Sequence, residues 1–284
     1  MLRDLFSIRG LGGTVAFNVA MAGLGLVSGV VLARTLGPGG RGDLVAAIQW
    51  AGITLALSAM GLGFAIAHRA GVAPARKGKQ WWFSLVVTTA WGGLVLLGTS
   101  AVLPGFVHAS AAPALNVTLW VVPFGLALGF QAYLLLGSGR VLAHNGVRLV
   151  ASLAYALVIA TIAFLRVRSV SAFAAVFVAS QMLGAAAGFA LLARSLDAAR
   201  MRDRSRAREF VEFGIKSQVA SIAGYAALRL DQLLLSVFAS SADLGLYVIA
   251  VSSASVVGPL FSASTRPGGA RAAAESTTMG DPCR

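Results

Sequence analysis

Apolar runs of about 20 residues recur along this chain, separated by short polar connections. A helix needs about that length to cross the hydrocarbon of a bilayer. Inside lipid only a helix or a closed barrel satisfies its own backbone groups. The runs lie near residues 13–33, 44–67, 81–103, 115–137, 147–165, 170–193, 214–238 and 243–264. They predict an all-α polytopic membrane protein of about eight transmembrane helices. Charged residues make up 12% of the chain, half the roughly 25% usual in soluble domains, so there is too little polar surface to cover a water-soluble globule. The run after Arg9 exceeds the core of a cleavable signal, about 7–15 residues. Residues 13–33 therefore read as a first span that also directs insertion.

The net charge is +13. On a soluble protein that would suggest nucleic acid, but here the cations sit in the connections between apolar runs. Eighteen of the 23 Lys and Arg residues fall on one side of the eight-span topology, counting the N-terminus, the even-numbered loops and the tail. Arg34, Arg41, Arg166 and Arg168 fall on the other side, and Arg229 lies inside a span. Basic loops stay cytoplasmic during insertion. The expected placement is thus the inner (plasma) membrane, multi-pass, with a cytoplasmic N-terminus, membrane lipids as neighbours and no nucleic-acid partner. Cys283 is the single cysteine, so no intrachain disulfide or Cys-based metal site is expected. His68, His108 and His144 lack ligand spacing. No metal site, cofactor or catalytic residue is expected.

The domain reading has four parts. Residues 1–195 form a first six-helix lobe, and residues 196–212 a basic cytoplasmic linker. Residues 213–264 form the first two helices of a second lobe. Residues 265–284, rich in Ala, Gly, Ser and Thr, form a disordered tail. The linker is also a candidate amphipathic helix on the anionic leaflet. A shift of 203 positions aligns the connection after the first helix with the one after the seventh, placing Gly42 on Gly245 and Ala47 on Ala250. In both places an apolar helix ends in small residues and a glycine opens the next helix. This is the pattern of a parallel repeat about an axis along the membrane normal.

The segment VVLARTLGPGGRGDL at Val30–Leu44 resembles the first-loop signature of polysaccharide-export flippases of the multidrug/oligosaccharidyl-lipid/polysaccharide (MOP) superfamily. The segment Glu209–Ala250, with RLDQLLL at Arg229–Leu235 and GLY at Gly245–Tyr247, is similar to the start of their second half. The resemblance covers Arg9 to about Leu260. It implies a flippase moving polyprenyl-diphosphate-linked saccharides from the inner to the outer leaflet for polysaccharide or O-antigen biosynthesis. Such proteins have two six-helix lobes. One lobe plus two helices is therefore expected to be a truncated or frameshifted member, or a half-transporter needing a second copy or a complementary half.

The seventh run carries the most chemistry. At about 100° per residue, Gln218, Ser221, Tyr225, Arg229, Gln232 and Ser236 fall within about 80° of one another. A polar stripe of that length should face a bundle interior or a water-filled cavity. A charge at membrane depth costs about 2.5–3.5 kcal/mol on insertion scales, so Arg229 needs a partner or water. Given the resemblance, it is a candidate for the substrate's diphosphate, through charge-assisted bonds. A structural salt bridge or a snorkelling side chain is the alternative. Gln218, Tyr225 and Gln232 share its face as candidate substrate-binding residues. The repeat maps Asn18 onto Ser221 and Gly29 onto Gln232, so Asn18 joins the candidate set on a shared cavity, as does Arg34 near the outer end of the first span, for which a simple interface anchor is the alternative. Asp231 points about 200° from Arg229 on the helix. It is read as a coupling carboxylate or as the structural partner of an arginine on a neighbouring helix.

The leading function is the lipid-linked saccharide flippase, and the chain is not expected to be an enzyme. A drug/cation antiporter or peptidoglycan-precursor flippase of the same superfamily is the alternative within transporters. An antiporter would place carboxylates in the first lobe, and Asp4 and Asp43 are the only acids before Asp197. A membrane-embedded polymerase would need a large charged outer loop, and the connection near residues 104–114 holds only His108. A non-functional fragment is the third class. Among weaker signals, Gly25/Gly29, Gly125/Gly129 and Gly184/Gly188 are expected at helix contacts. Pro123 and Pro259 are potential kinks, and Trp81 and Trp82 suit an aromatic belt.

Overall fold

A computed structural model describes residues 8–72, 81, 85–193 and 207–255. The expected linker apart from its last residues, the tail, Trp82 and Pro259 lie outside the described residues. Among the described residues all regular structure is helical.

The first helix, α1 (Ile8–Ser58), is two arms joined at Gly37, whose φ of 67° and ψ of −179° break the helical path. Glycine reaches that conformation without a Cβ penalty. Pro38 then opens the second arm, its fixed φ suiting a first helical turn. The arms fold back on each other. Arg41 reaches Gly29, its Nη2 3.7 Å from where a Cβ would stand, although twelve residues of straight helix would separate them by about 18 Å.

The span expected over 44–67 is not continuous. The second arm ends at Ser58, and α2 (Leu62–Val72) begins after a turn in which Met60 and Gly61 have φ of 47° and 62°. The third span begins with a π turn at Val87–Trp91, continues as α3 (Gly92–Val102) and ends in a 3-10 turn at Leu103–Phe106. The fourth is split into α4 (Ala112–Thr118) and α5 (Val121–Gly137). Pro123 lacks the N–H that would bond the Leu119 carbonyl, so the ladder fails there. The remaining helices are α6 (Val141–Phe164), α7 (Val170–Ala193), α8 (Ala207–Phe238) and α9 (Ser241–Ser255). Helix α8 takes in residues 207–212, which the linker was expected to hold.

Among the described residues five helical stretches are long and apolar enough to cross a membrane: Phe17–Ser58, Thr88–Phe106, Ala112–Gly137, Val141–Phe164 and Val170–Ala193. The first contains both arms of α1. Helix α8 has the length, 32 residues, but its polar stripe keeps it out of that class. The chain is a multi-pass membrane protein, and its outward surface carries Leu97, Leu157 and Phe164 at 71%, 66% and 87% exposure.

Two apolar clusters hold α1 to α7 together. One joins Leu62 and Ile66 of α2 to Leu126 and Leu134 of α5 and Val147 of α6. The other joins Leu32 and Leu44 of α1 to Leu115, Ile159 and Phe173. Trp81 packs in the first cluster against Phe189, ring centroids 5.1 Å apart, and is 6% exposed. It is a core residue rather than part of an interfacial belt, because α7 covers it. Of the glycine pairs, Gly184 faces Ala151 and Gly188 faces Gln131, which places both at helix contacts, whereas Gly25 and Gly129 face open space.

A third cluster, Val45, Ala46, Ala111, Leu244 and Val248, docks α9 on the second arm of α1. Here the repeat becomes visible. A Cβ on Gly42 would collide with the Ser241 carbonyl, and one on Gly245 with the Pro38 carbonyl. Each would also stand 3.1 Å from the other glycine's amide nitrogen. Residues 38 and 241 are related by the 203 shift, as are 42 and 245. Contacts that read the same in both directions are those of a two-fold interface.

Candidate functional site

The polar stripe of α8 lies against the second arm of α1 along most of its length. Near the Gly37 turn, the Asp43 carboxylate accepts hydrogen bonds from Ser241 (2.5 Å) and Ser110 (3.0 Å). A ring nitrogen of His108 lies 2.9 Å from the Ala239 carbonyl. About two turns further along α1, the Trp50 indole donates to Ser236 at 3.0 Å. At mid-depth the Gln49 amide donates to the Gln232 side-chain oxygen. The Tyr225 hydroxyl donates to both the backbone and side-chain oxygens of Gln49, at 3.1 Å each. Gly52 makes room for that phenol, since a Cβ there would stand 2.5 Å from the hydroxyl oxygen.

At the far end Gln218 caps the break between α1 and α2. Its oxygen accepts from the Gly61 amide at 2.5 Å, and its nitrogen donates to the Ala56 and Leu57 carbonyls at 2.7 and 3.3 Å. Broken backbone at membrane depth survives only where such groups re-satisfy it. These backbone bonds give Gln218 a structural task.

Arg229 sits at the edge of this seam. Its Nη1 donates to the Gln232 side-chain oxygen at 3.3 Å, and the residue is exposed. The chain Tyr225–Gln49–Gln232–Arg229 is therefore one connected network, with Gln49 7% and Gln232 1% exposed. A guanidinium carries five donors and this contact uses one of them. Among the described residues no carboxylate pairs with Arg229. Asp231 points away, as its spacing requires, and accepts from the Tyr247 hydroxyl of α9. Among the described residues no arginine pairs with Asp231, and the tyrosine of α9 is its hydrogen-bond partner.

Asn18 and Arg34 are both exposed. The structure does not join them to the stripe by any hydrogen bond among the described residues. Ser221 bonds its own helix at the Ser217 carbonyl, 3.0 Å. Sequence reasoning missed Gln49, Trp50 and Asp43. Gln49 had a signal, since an amide in the middle of an otherwise apolar arm needs a partner. Among the described residues no group of three His, Cys, Asp or Glu could hold a metal ion.

Cross-helix hydrogen bonds in membrane proteins average about 0.6 kcal/mol. A handful of them gives only a few kcal/mol, so the seam aligns α8 on α1 without welding the two together.

The family described as "Polysaccharide biosynthesis protein" matches residues 7–265. No curated protein matches the chain. Among solved structures, the inward-facing conformation of a multidrug resistance MATE family transporter of the MOP superfamily is similar, with a TM-score of 0.63 and 13% identity. The match covers 83% of this chain and 58% of that one. At that identity the likeness is one of fold. This chain spans 58% of that transporter's length.

Proposed function

Because the chain belongs to the polysaccharide biosynthesis protein family and folds as a MOP transporter does, we propose that it serves as a flippase for polyprenyl-diphosphate-linked saccharides in the cytoplasmic membrane. The observation that carries this reading is Arg229: an exposed guanidinium on the polar stripe of α8, oriented by Gln232, with its remaining donors unused among the described residues. Charge-assisted bonds from a guanidinium fork suit a phosphate oxyanion. The seam between α1 and α8 is the surface along which the two lobes separate to admit the saccharide.

Two features favour this over a cation antiporter. No acidic residue lies mid-span in the first lobe. Asp43, one turn past Gly37, is committed to two serine hydroxyls. The excess of Lys and Arg on one side supports a cytoplasmic N-terminus. In a Cys283→Ser background, a cysteine at Ser138 should resist, and one at Ser169 should react with, an impermeant maleimide added to intact cells.

The deciding experiment follows leaflet exchange of a labelled polyprenyl-diphosphate saccharide in proteoliposomes. Wild type should exceed empty liposomes, Arg229→Ala should lose at least about tenfold in rate, and Arg229→Lys should retain part of it. Equal rates for wild type and Arg229→Ala would remove Arg229 from the pathway. No exchange by wild type would reject the flippase reading for this chain.

A further inference from the structure

Arg41 looks in the sequence like a loop cation, four residues past the Gly37 break, yet it is 8% exposed. Its side chain lies along the first arm of α1 over Gly29. Its Nε is buried with no hydrogen-bond partner. Ser28, adjacent to Gly29 and 4% exposed, has a buried hydroxyl that is likewise unpartnered. Serine and threonine hydroxyls in helices usually bond a carbonyl one turn back, as Thr35 and Thr54 do here. Ser28 does not.

From α6, Tyr155 packs on the apolar cluster that Leu32 and Leu44 of the two arms build. Its ring is held edge-on by Phe177, centroids 5.5 Å apart. Around these groups the cluster is apolar, with Leu32, Leu44 and Ile159 almost fully buried.

The side chains gathered here can all donate: a guanidinium, which has no acceptor, and two hydroxyls. The acid nearest in sequence, Asp43, is turned to Ser110 and Ser241. A buried charge left uncompensated costs several kcal/mol, and among the described residues no carboxylate pairs with Arg41, so an anion from solution suits the site. One fixed positive charge among apolar walls balances one negative charge, and a dianion would leave net charge in a low-dielectric site. We propose that Arg41, Ser28 and Tyr155 hold a monovalent, halide-sized anion between the two arms of α1 and α6. This site is separate from Arg229 and stands whichever substrate the protein moves.

The test uses the full chain in nanodiscs, with thermal unfolding followed as sodium chloride replaces sodium gluconate at constant ionic strength. Chloride should raise the Tm saturably. Arg41→Met should abolish the response and melt above wild type in gluconate, because the uncompensated charge is gone. Ser28→Ala and Tyr155→Phe should shift the chloride midpoint about tenfold higher. Equal wild-type Tm values in chloride and gluconate would mean that water satisfies the guanidinium, and would overturn the site. An unchanged response in Arg41→Met would place the chloride elsewhere. A saturable response to phosphate but not chloride would overturn the assigned anion class. Should Arg41→Met fail to fold, an unshifted midpoint in Ser28→Ala overturns the proposal by itself.

Discussion

The two hairpins that the 203 shift relates, the arms of α1 and the pair α8–α9, meet through the same contact but place their polar groups differently. At the turns the match is reciprocal: Gly42 meets Ser241 and Gly245 meets Pro38. One level deeper the chemistry is exchanged. In the first hairpin the first helix offers Gly29, and Arg41 from the second helix fills the space. In the second hairpin the corresponding positions are Gln232 and Leu244, both 1% exposed. The large polar residue is on the second helix in the first hairpin and on the first helix in the second. The backbone contact is thus common to both hairpins, and the polar content is free to specialise. One hairpin buries a guanidinium whose Nε has no partner among the described residues, and the other carries an amide that reaches across to the first hairpin.

Breaking the shared contact should have the largest effect. Gly42→Ala and Gly245→Ala each push a methyl into a backbone carbonyl that no side-chain rotation can relieve. Each should cost at least about 2–3 kcal/mol, and by reciprocity the two costs should agree. The double variant should cost less than their sum, since both act on one contact. Thermal unfolding in detergent reads all three. A harmless Gly42→Ala beside a damaging Gly245→Ala would break the two-fold relation.

Exchanging the polar chemistry should have a smaller effect. Gly29→Gln alone crowds Arg41 and should lower stability by about 1–3 kcal/mol. Adding Arg41→Leu gives the first hairpin the solution of the second and should restore most of the loss. If the double variant is no better than the single, the two levels are not equivalent.

Cutting the seam should have a milder effect again. Gln232→Leu leaves the Gln49 amide and one Arg229 donor without their acceptor, a cost of about 1–2 kcal/mol. Gln49→Leu combined with Gln232→Leu removes both sides of the bond and should recover part of it. The same melting curves read both, and additive losses would deny the coupling.

Much of the fold was legible because length and polarity dictate it. Residues 170–193 emerge as α7 with those limits, and the spans at 115–137 and 214–238 reappear with shifted ends or one interruption. The break at residues 59–61 was not legible. Its sequence is apolar and free of proline, and what stabilises it is Gln218, distant in the chain. The stripe of α8 was visible from its periodicity, which tells which residues share a face and not what that face meets. Hence Gln232 was singled out and Gln49 was not, although the two bond each other. Arg41 was hidden because a cation beside Gly-Pro-Gly reads as loop, and only the reversal at Gly37 turns it into the bundle.

The proposed function requires the α1–α8 seam to part during transport. It is tested most directly by placing cysteines at Gln49 and Gln232 in a Cys283→Ser background and bridging them with a short, reducible thiol cross-linker in proteoliposomes. The account predicts that bridging stops leaflet exchange of the lipid-linked saccharide and that reductant restores it. Exchange continuing at the unbridged rate while the cross-link is intact would contradict it.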